Sequence, residues 1–133
     1  MSSLEVRVYY EDTDSGGVVY YANYLKFIER GRSEYLRELG FEQDQLIQEQ
    51  NIIFAVRSIQ ADYLLPARFN DLLSVSTEVK NTRRASLIFS QKIEDPKQNK
   101  VLFRAQITVA CLDVQSFKPC AIPSNILEKI NGQ

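Results

Sequence analysis

The sequence predicts an α+β domain in which an antiparallel sheet covers one long helix. Three observations predict it. Between residues 24 and 39, Tyr24, Phe27, Ile28, Gly31, Tyr35 and Leu39 recur at three- and four-residue steps, the period of a helix with one apolar face. From residue 73 to 111, apolar and polar residues alternate in long runs, the period of half-buried strands. Short polar turns separate those runs, and nothing in the chain reads as a repeat, a low-complexity stretch or a domain linker.

Taken in order, residues 5–11 read as a strand, with Val6, Val8 and Tyr10 on one face and Arg7 and Tyr9 on the other. A helix follows over residues 22–39. Glu29, Arg30, Arg32, Glu34, Arg37 and Glu38 lie mostly opposite its apolar stripe. Gly31 sits on the stripe, where a glycine costs roughly 1 kcal/mol against alanine, so it predicts a close approach of helix to sheet. Gly40 supplies a left-handed stop. A weaker helix over 41–50 precedes a strand over 52–65, ended by Pro66. After the turn at Asn70 and Asp71, Leu73, Val75, Thr77 and Val79 face in while Ser74, Ser76, Glu78 and Lys80 face water. Residues 81–84 turn the chain. The next strand, 86–94, points Leu87, Phe89 and Ile93 inward, and after a polar turn Val101, Phe103, Ala105, Ile107, Val109 and Cys111 alternate again. Pro119 and Pro123 punctuate a connector to a short helix over 124–130, starting at a Ser124 cap.

The chemistry concentrates in residues 10–24, Tyr-Glu-Asp-Thr-Asp-Ser-Gly-Gly-Val-Val-Tyr-Tyr-Ala-Asn-Tyr. Asp12, Thr13 and Asp14 bond nearby backbone N–H groups readily and so end the strand. Gly16 and Gly17 permit positive φ and close approach of a ligand. The helix start beyond them offers unpaired N–H groups and the positive end of a dipole. A carboxylate beside free amide donors suits acyl chemistry, one attacking or taking a proton and the other stabilising an oxyanion. A capped turn before a helix explains the same residues, and both readings stay open on spacing alone. A calcium loop does not fit, because its fifth and twelfth positions would be Gly16 and Asn23. Neither nucleotide-binding glycine motif is present.

Composition narrows the function further. A chain of 133 residues, 44% hydrophobic and 25% charged, is one ordinary globular domain spanning 1–133. A net charge of −1 argues against a general nucleic-acid binder. No run is long enough to span a membrane, and the Met-Ser-Ser-Leu-Glu start lacks the regions of a signal peptide, so a cytoplasmic location is expected. Two cysteines are too few for a disulfide framework or a four-ligand zinc site, and Cys111 reads as a small buried hydrophobe. The chain has no histidine. That excludes Ser-His-Asp and Cys-His nucleophile systems and His-Glu-x-x-His zinc sites, and leaves acid–base work to Asp, Glu, Tyr, Cys, Lys or water.

Arg7-Val-Tyr-Tyr-Glu-Asp-Thr-Asp14, Gly16-Gly-Val-Val-Tyr20, Phe27-Ile-Glu-Arg30, Asp62-Tyr-Leu-Leu-Pro-Ala67, the Arg83/Arg84 turn, Lys118-Pro119 and Ile122-Pro123 together resemble the hot-dog-fold acyl-CoA thioesterases. They look most like the bacterial Tol-Pal-associated, YbgC-type branch of the 4-hydroxybenzoyl-CoA thioesterase family, over nearly the whole chain. The resemblance implies a five-stranded antiparallel sheet wrapped around one long helix. It places the catalytic carboxylate on Asp14 and the oxyanion donor on the backbone N–H of Tyr21 or a neighbour. It puts substrate contacts at Gly17 and Val18, and the coenzyme A phosphates against Arg83 and Arg84 with Ser86 close by. Lys118 is a weaker candidate of the same type, and Arg57 weaker still. Asp12, which ends the strand, is expected to be structural. Glu29 and Glu34 stand where other hot-dog enzymes put a catalytic acid, but are expected to be solvated ion-pairing residues here. The branch has histidine where this chain has Tyr21, and the 4-hydroxybenzoyl-CoA enzymes have tyrosine. A phenol is a poor general base at neutral pH, so Asp14 is expected to act largely alone.

The resulting expectation is an acyl-CoA thioesterase acting without cofactor or metal, as a homo-oligomer (dimer or tetramer) with sites between subunits. The alternatives are a scaffold binding acyl carrier protein or envelope-system partners, and a thioesterase for acyl-carrier-protein thioesters. Acyl length and aromaticity are not legible from these residues.

Overall fold

The computed structural model describes residues 2–133. β1 (Ser2–Arg7) leads through a single 3-10 turn (Tyr10–Asp12) into α1 (Asn23–Glu38) and α2 (Gln43–Gln50). β2 (Ile52–Tyr63), β3 (Leu72–Thr82), β4 (Ser86–Asp95), β5 (Lys100–Asp113) and α3 (Ser124–Asn131) complete the chain. The strands form one antiparallel five-stranded sheet in the order β1-β3-β4-β5-β2. The sheet wraps the apolar face of α1, which is the hot-dog arrangement expected.

The stripe on α1 explains the packing. Tyr24, Phe27, Ile28, Tyr35 and Leu36 are buried against Leu73, Val75, Leu87, Phe89, Ile93, Phe103 and Ile107. Each such side chain contributes about 1.5–3 kcal/mol on burial, which outweighs the roughly 1 kcal/mol that Gly31 takes from the helix. A Cβ on Gly31 would stand 2.8 Å from Thr77 Oγ1, 2.9 Å from Val75 Cγ1 and 3.0 Å from Gln91 Nε2, so the close approach of helix to sheet is real. The polar atoms at that contact are paired. Gln91 Nε2 donates to the Ile28 carbonyl and to Thr77 Oγ1, both at 2.8 Å, and Gln91 Oε1 accepts from Arg32 at 3.0 Å. At the far end of α1, Gly40 at φ +97 lets Phe41 N–H reach the Leu36 carbonyl and Gly40 N–H the Arg37 carbonyl, both at 2.9 Å, so the chain stops the helix with a Schellman turn.

Three local expectations are corrected. The first strand ends at Arg7, and Tyr10 is 78% exposed rather than aligned with Val6 and Val8. Val8 still bonds Asn70 and Asp71, but the Asp12 carboxylate then takes the Tyr9 N–H and coils the chain into the 3-10 turn. The strand expected to run to residue 65 stops at Tyr63, because Leu64 and Leu65 N–H both turn to the Leu102 carbonyl. Ser124 is the first helical residue and caps nothing; Pro123 stands at the cap and its carbonyl accepts from Ile126 and Leu127.

Candidate active site

Asp14 lies on a small hairpin. Its N–H bonds the Val18 carbonyl at 2.9 Å, Gly17 N–H returns to the Asp14 carbonyl at 3.1 Å, and Thr13 bridges Val19. Gly17 turns the tip at φ +79, with open space where a side chain would be; Gly16 needs no positive φ. Gly16 instead donates its N–H to Asp14 Oδ1 at 2.8 Å, while Oδ2 has no partner among the described residues. The carboxylate is thus oriented through one oxygen and open through the other. Asp14 is solvent-exposed in the protomer.

The two carboxylates of the motif divide their work. Asp12 is consumed by structure: its carboxylate takes the Tyr9 N–H at 2.8 Å, and its carbonyl accepts both Tyr20 N–H and the buried Asn23 Nδ2 at 2.9 Å. The hairpin is fastened on its other side to the segment after β2. Val19 N–H bonds the Ala67 carbonyl at 2.9 Å, Val18 bridges Arg68, and the Tyr24 hydroxyl accepts Ala67 N–H at 3.0 Å. Tyr24 therefore ties α1 to the segment on which the hairpin is fastened.

The helix start supplies donors. No side chain caps α1, and the N–H groups of Tyr21 and Ala22 have no acceptor among the described residues. Adjacent unpaired amides at the positive end of a 16-residue helix are suited to stabilise negative charge on a carbonyl oxygen. The Tyr21 carbonyl is not bonded by Leu25, which turns to Ala22 at 3.2 Å; it accepts the Tyr63 hydroxyl at 3.0 Å. Around it, the Tyr21 and Tyr63 rings meet edge to face at 6.4 Å, Tyr24 and Tyr63 at 5.3 Å, and Tyr63 and Phe103 at 5.0 Å. The Tyr21 phenol beside it pushes the Tyr20 hydroxyl above its ordinary range, so at neutral pH Tyr20 keeps its proton.

The basic candidates lie elsewhere. Asp14 is at the end of the sheet where β2 finishes and β3 begins, whereas Arg83 and Arg84 follow β3 at the opposite end. An 11-residue strand separates them, roughly 35 Å of extended chain. Both arginines are exposed; Ser86 is buried at 6% exposure, its carbonyl bonded by Arg83 N–H. Lys118 is exposed in the connector beside them, which is tied to the turn by Ile122 N–H on the Arg84 carbonyl at 2.8 Å. One protomer therefore groups Asp14, Gly17, Val18 and Tyr21 at one end, and Arg83, Arg84, Ser86 and Lys118 at the other.

Asn23 and the hydroxyls of Tyr24 and Tyr63 were not singled out by sequence reasoning. The available signal was modest: Asn23 interrupts an apolar helix start, and Tyr63 is a polar-tipped aromatic in a strand-like run.

Comparison with known proteins agrees with this architecture. The model of the thioesterase-like superfamily matches residues 8–130. The acyl-CoA thioesterase YbgC of Haemophilus influenzae is 46% identical over 124 residues, covering 93% of this chain and 90% of that protein. The acyl-CoA thioester hydrolase YbgC of Escherichia coli is 45% identical over 92% of this chain and 90% of its own length. Among solved structures, a probable thioesterase from Bartonella henselae is 34% identical, with a TM-score of 0.86 over 91% of this chain and 98% of that one. The chain belongs to the thioesterase-like superfamily and, within its hot-dog fold, to the YbgC-type thioester hydrolases.

Proposed function

We propose that this protein hydrolyses acyl-CoA thioesters in a site completed by two copies of the chain, with Asp14 as nucleophile or general base. The observation that carries the reading is the pairing of a half-free carboxylate with unpaired amides at the start of α1. Asp14 Oδ2 attacks the thioester carbonyl, or takes a proton from the water that does. The Tyr21 and Ala22 N–H groups receive the developing oxyanion, which is where preorganised donors act most strongly. Collapse of the intermediate expels the coenzyme A thiolate, and water provides its proton. If Asp14 attacks, the mixed anhydride so formed is hydrolysed by a second step.

Two observations support the second copy. The arm from the thioester to the first phosphate of coenzyme A has about as many chain atoms as four residues, roughly 14 Å extended. That is short against the separation of Asp14 from Arg83 and Arg84 in one protomer. The edge strand β2 is also 12 residues long and exposed from Arg57 to Tyr63, with Val56, Ile59, Tyr63, Leu64 and Leu65 carrying apolar surface. Long exposed apolar edges are otherwise avoided. Antiparallel pairing of β2 with a second β2 covers that edge. It also reverses the second sheet, directing its basic turn toward the first copy's Asp14.

The test is hydrolysis of a panel of acyl-CoA thioesters by the parent and by Asp14→Asn. The variant keeps the Gly16 bond through its amide oxygen and should lose at least roughly 10²–10⁴ in rate on every good substrate. Parental rates throughout would remove Asp14 from the mechanism. A single turnover in ¹⁸O-water separates the routes, since attack by the carboxylate leaves label in Asp14 and general-base attack leaves it only in the released acid.

A further inference from the structure

We infer that Tyr63 is a positioning residue for the oxyanion donors: its hydroxyl holds the Tyr21–Ala22 peptide so that the amides at the helix start point at the substrate carbonyl. This rests on the active-site reading above and adds a residue to it.

The geometry is specific. A trans peptide holds its C=O and N–H antiparallel, so fixing the Tyr21 carbonyl fixes the direction of the Ala22 N–H. Tyr21 precedes the cap residue Ala22, so its carbonyl lies outside the hydrogen-bond ladder of α1 and no amide of the helix takes it. A phenol from another element takes the Tyr21 carbonyl at 3.0 Å. The unpaired Tyr21 N–H lies one residue before, and its peptide is itself held by Asn23 N–H on the Tyr20 carbonyl at 2.9 Å. Both candidate donors thus belong to peptides whose carbonyls are occupied. A bonded carbonyl also polarises the N–H of the same peptide and strengthens it as a donor.

Tyr63 is half exposed, but its ring is held by two aromatic neighbours. It ends β2 in register with Phe103, and its ring packs against Phe103 at 5.0 Å and Tyr24 at 5.3 Å. Burial and the nearby Tyr21 phenol raise its hydroxyl above the ordinary range, so it remains a protonated donor across the neutral and mildly alkaline range. The alternative use of the bond is simple fastening of α1 to β2. Fastening predicts a loss of stability. Positioning predicts a loss specific to ligands that present a carbonyl oxygen.

The test uses Tyr63→Phe, which keeps the ring packing and removes the hydroxyl. Two non-hydrolysable coenzyme A derivatives with the same acyl group are compared: a ketone with methylene in place of sulfur, and a thioether lacking the carbonyl oxygen. Expected is a fall in kcat of about 3- to 10-fold, the range for one net hydrogen bond, measured at a temperature where the variant is fully folded. Ketone binding should weaken by a similar factor and thioether binding should not, and the infrared carbonyl stretch of the bound ketone should move toward its position in water. Parental kcat, or equal weakening of both derivatives, would overturn the assignment. Asp14→Asn is measured beside it. If Asp14→Asn is inactive while Tyr63→Phe is normal, the inference about Tyr63 fails alone; if Asp14→Asn is fully active, the site itself is misplaced.

Discussion

The two ends of the sheet are held in different ways. At the Asp14 end, the hairpin and helix start are fastened at several points by bonds involving Asp12, Ala67, Tyr24 and Tyr63. One oxygen of the Asp14 carboxylate and the adjacent Tyr21 and Ala22 amides are unpaired among the described residues. At the Arg83 and Arg84 end, the backbone is fixed by Ser86, Cys111 and Ile122, but the guanidinium groups extend freely into water. Chemistry on a carbonyl needs donors placed to a fraction of an ångström. Holding a phosphate needs charge within reach, which an exposed arginine fork provides without a rigid mount. On the proposed reading, the first end carries catalysis and the second carries binding.

The largest effect should come from the first end. Asp14→Asn is expected to lower hydrolysis by roughly 10²–10⁴, while Asp12→Asn loses activity only in proportion to its lost stability, because Asp12 acts through the Tyr9 N–H. Measuring rate and thermal melting for both variants checks this; equal catalytic losses at equal stability would erase the distinction between them.

The second end should show a smaller effect of another kind. Replacing Arg83 and Arg84 together by alanine should raise KM for acyl-CoA severalfold and leave kcat nearly intact, since a nucleotide bound alike in ground and transition states contributes uniform binding. A pantetheine thioester lacking the nucleotide should not register the change. Equal losses on both substrates would make the arginines structural.

The smallest effect concerns the floor beneath that turn. Cys111 is fully buried, its sulfur 3.7 Å from that of Cys120, and burial followed by the neighbouring thiol pushes it up from 9.0 to about 12. A folded value above the unfolded one favours the neutral thiol in the native state. That contribution is complete below about pH 9 and is lost as pH rises toward 12. Melting temperature should therefore fall from pH 9 upward, with buried Tyr35, also raised to about 12, adding to the fall above pH 10. Cys111→Ala should be less stable at pH 7 yet decline less steeply between pH 9 and 10. An identical slope would contradict it.

The sequence made the scaffold legible because periodicity reports burial directly. Gly31 announced the contact of helix with sheet, and alternation from residue 73 onward placed Leu73, Val75, Phe89, Phe103 and Ile107 inside correctly. Gln91 escaped notice because a buried amide looks like any polar strand residue until its partners, Thr77, Ile28 and Arg32, are brought to it by the fold. Tyr10 was misplaced because the side-chain bond from Asp12 overrides the strand pattern. Asp14 and Tyr21, seven residues apart, are candidates from a single motif. What no local pattern reveals is their distance from Arg83 and Arg84, which follows only from strand order and direction.

That separation is tested most directly by mixing subunits. Asp14→Asn and the Arg83→Ala, Arg84→Ala variant are co-expressed with different tags, and the mixed oligomer is purified and assayed at acyl-CoA concentrations below the KM of the arginine variant. If Asp14 of one copy works with the arginines of another, one site in each mixed pair is wild type. The mixture then recovers the parental low-KM activity that neither variant shows alone. If Asp14 and the arginines act within a single copy, every site in the mixture carries one defect. No low-KM activity would then appear, and the shared site would be contradicted.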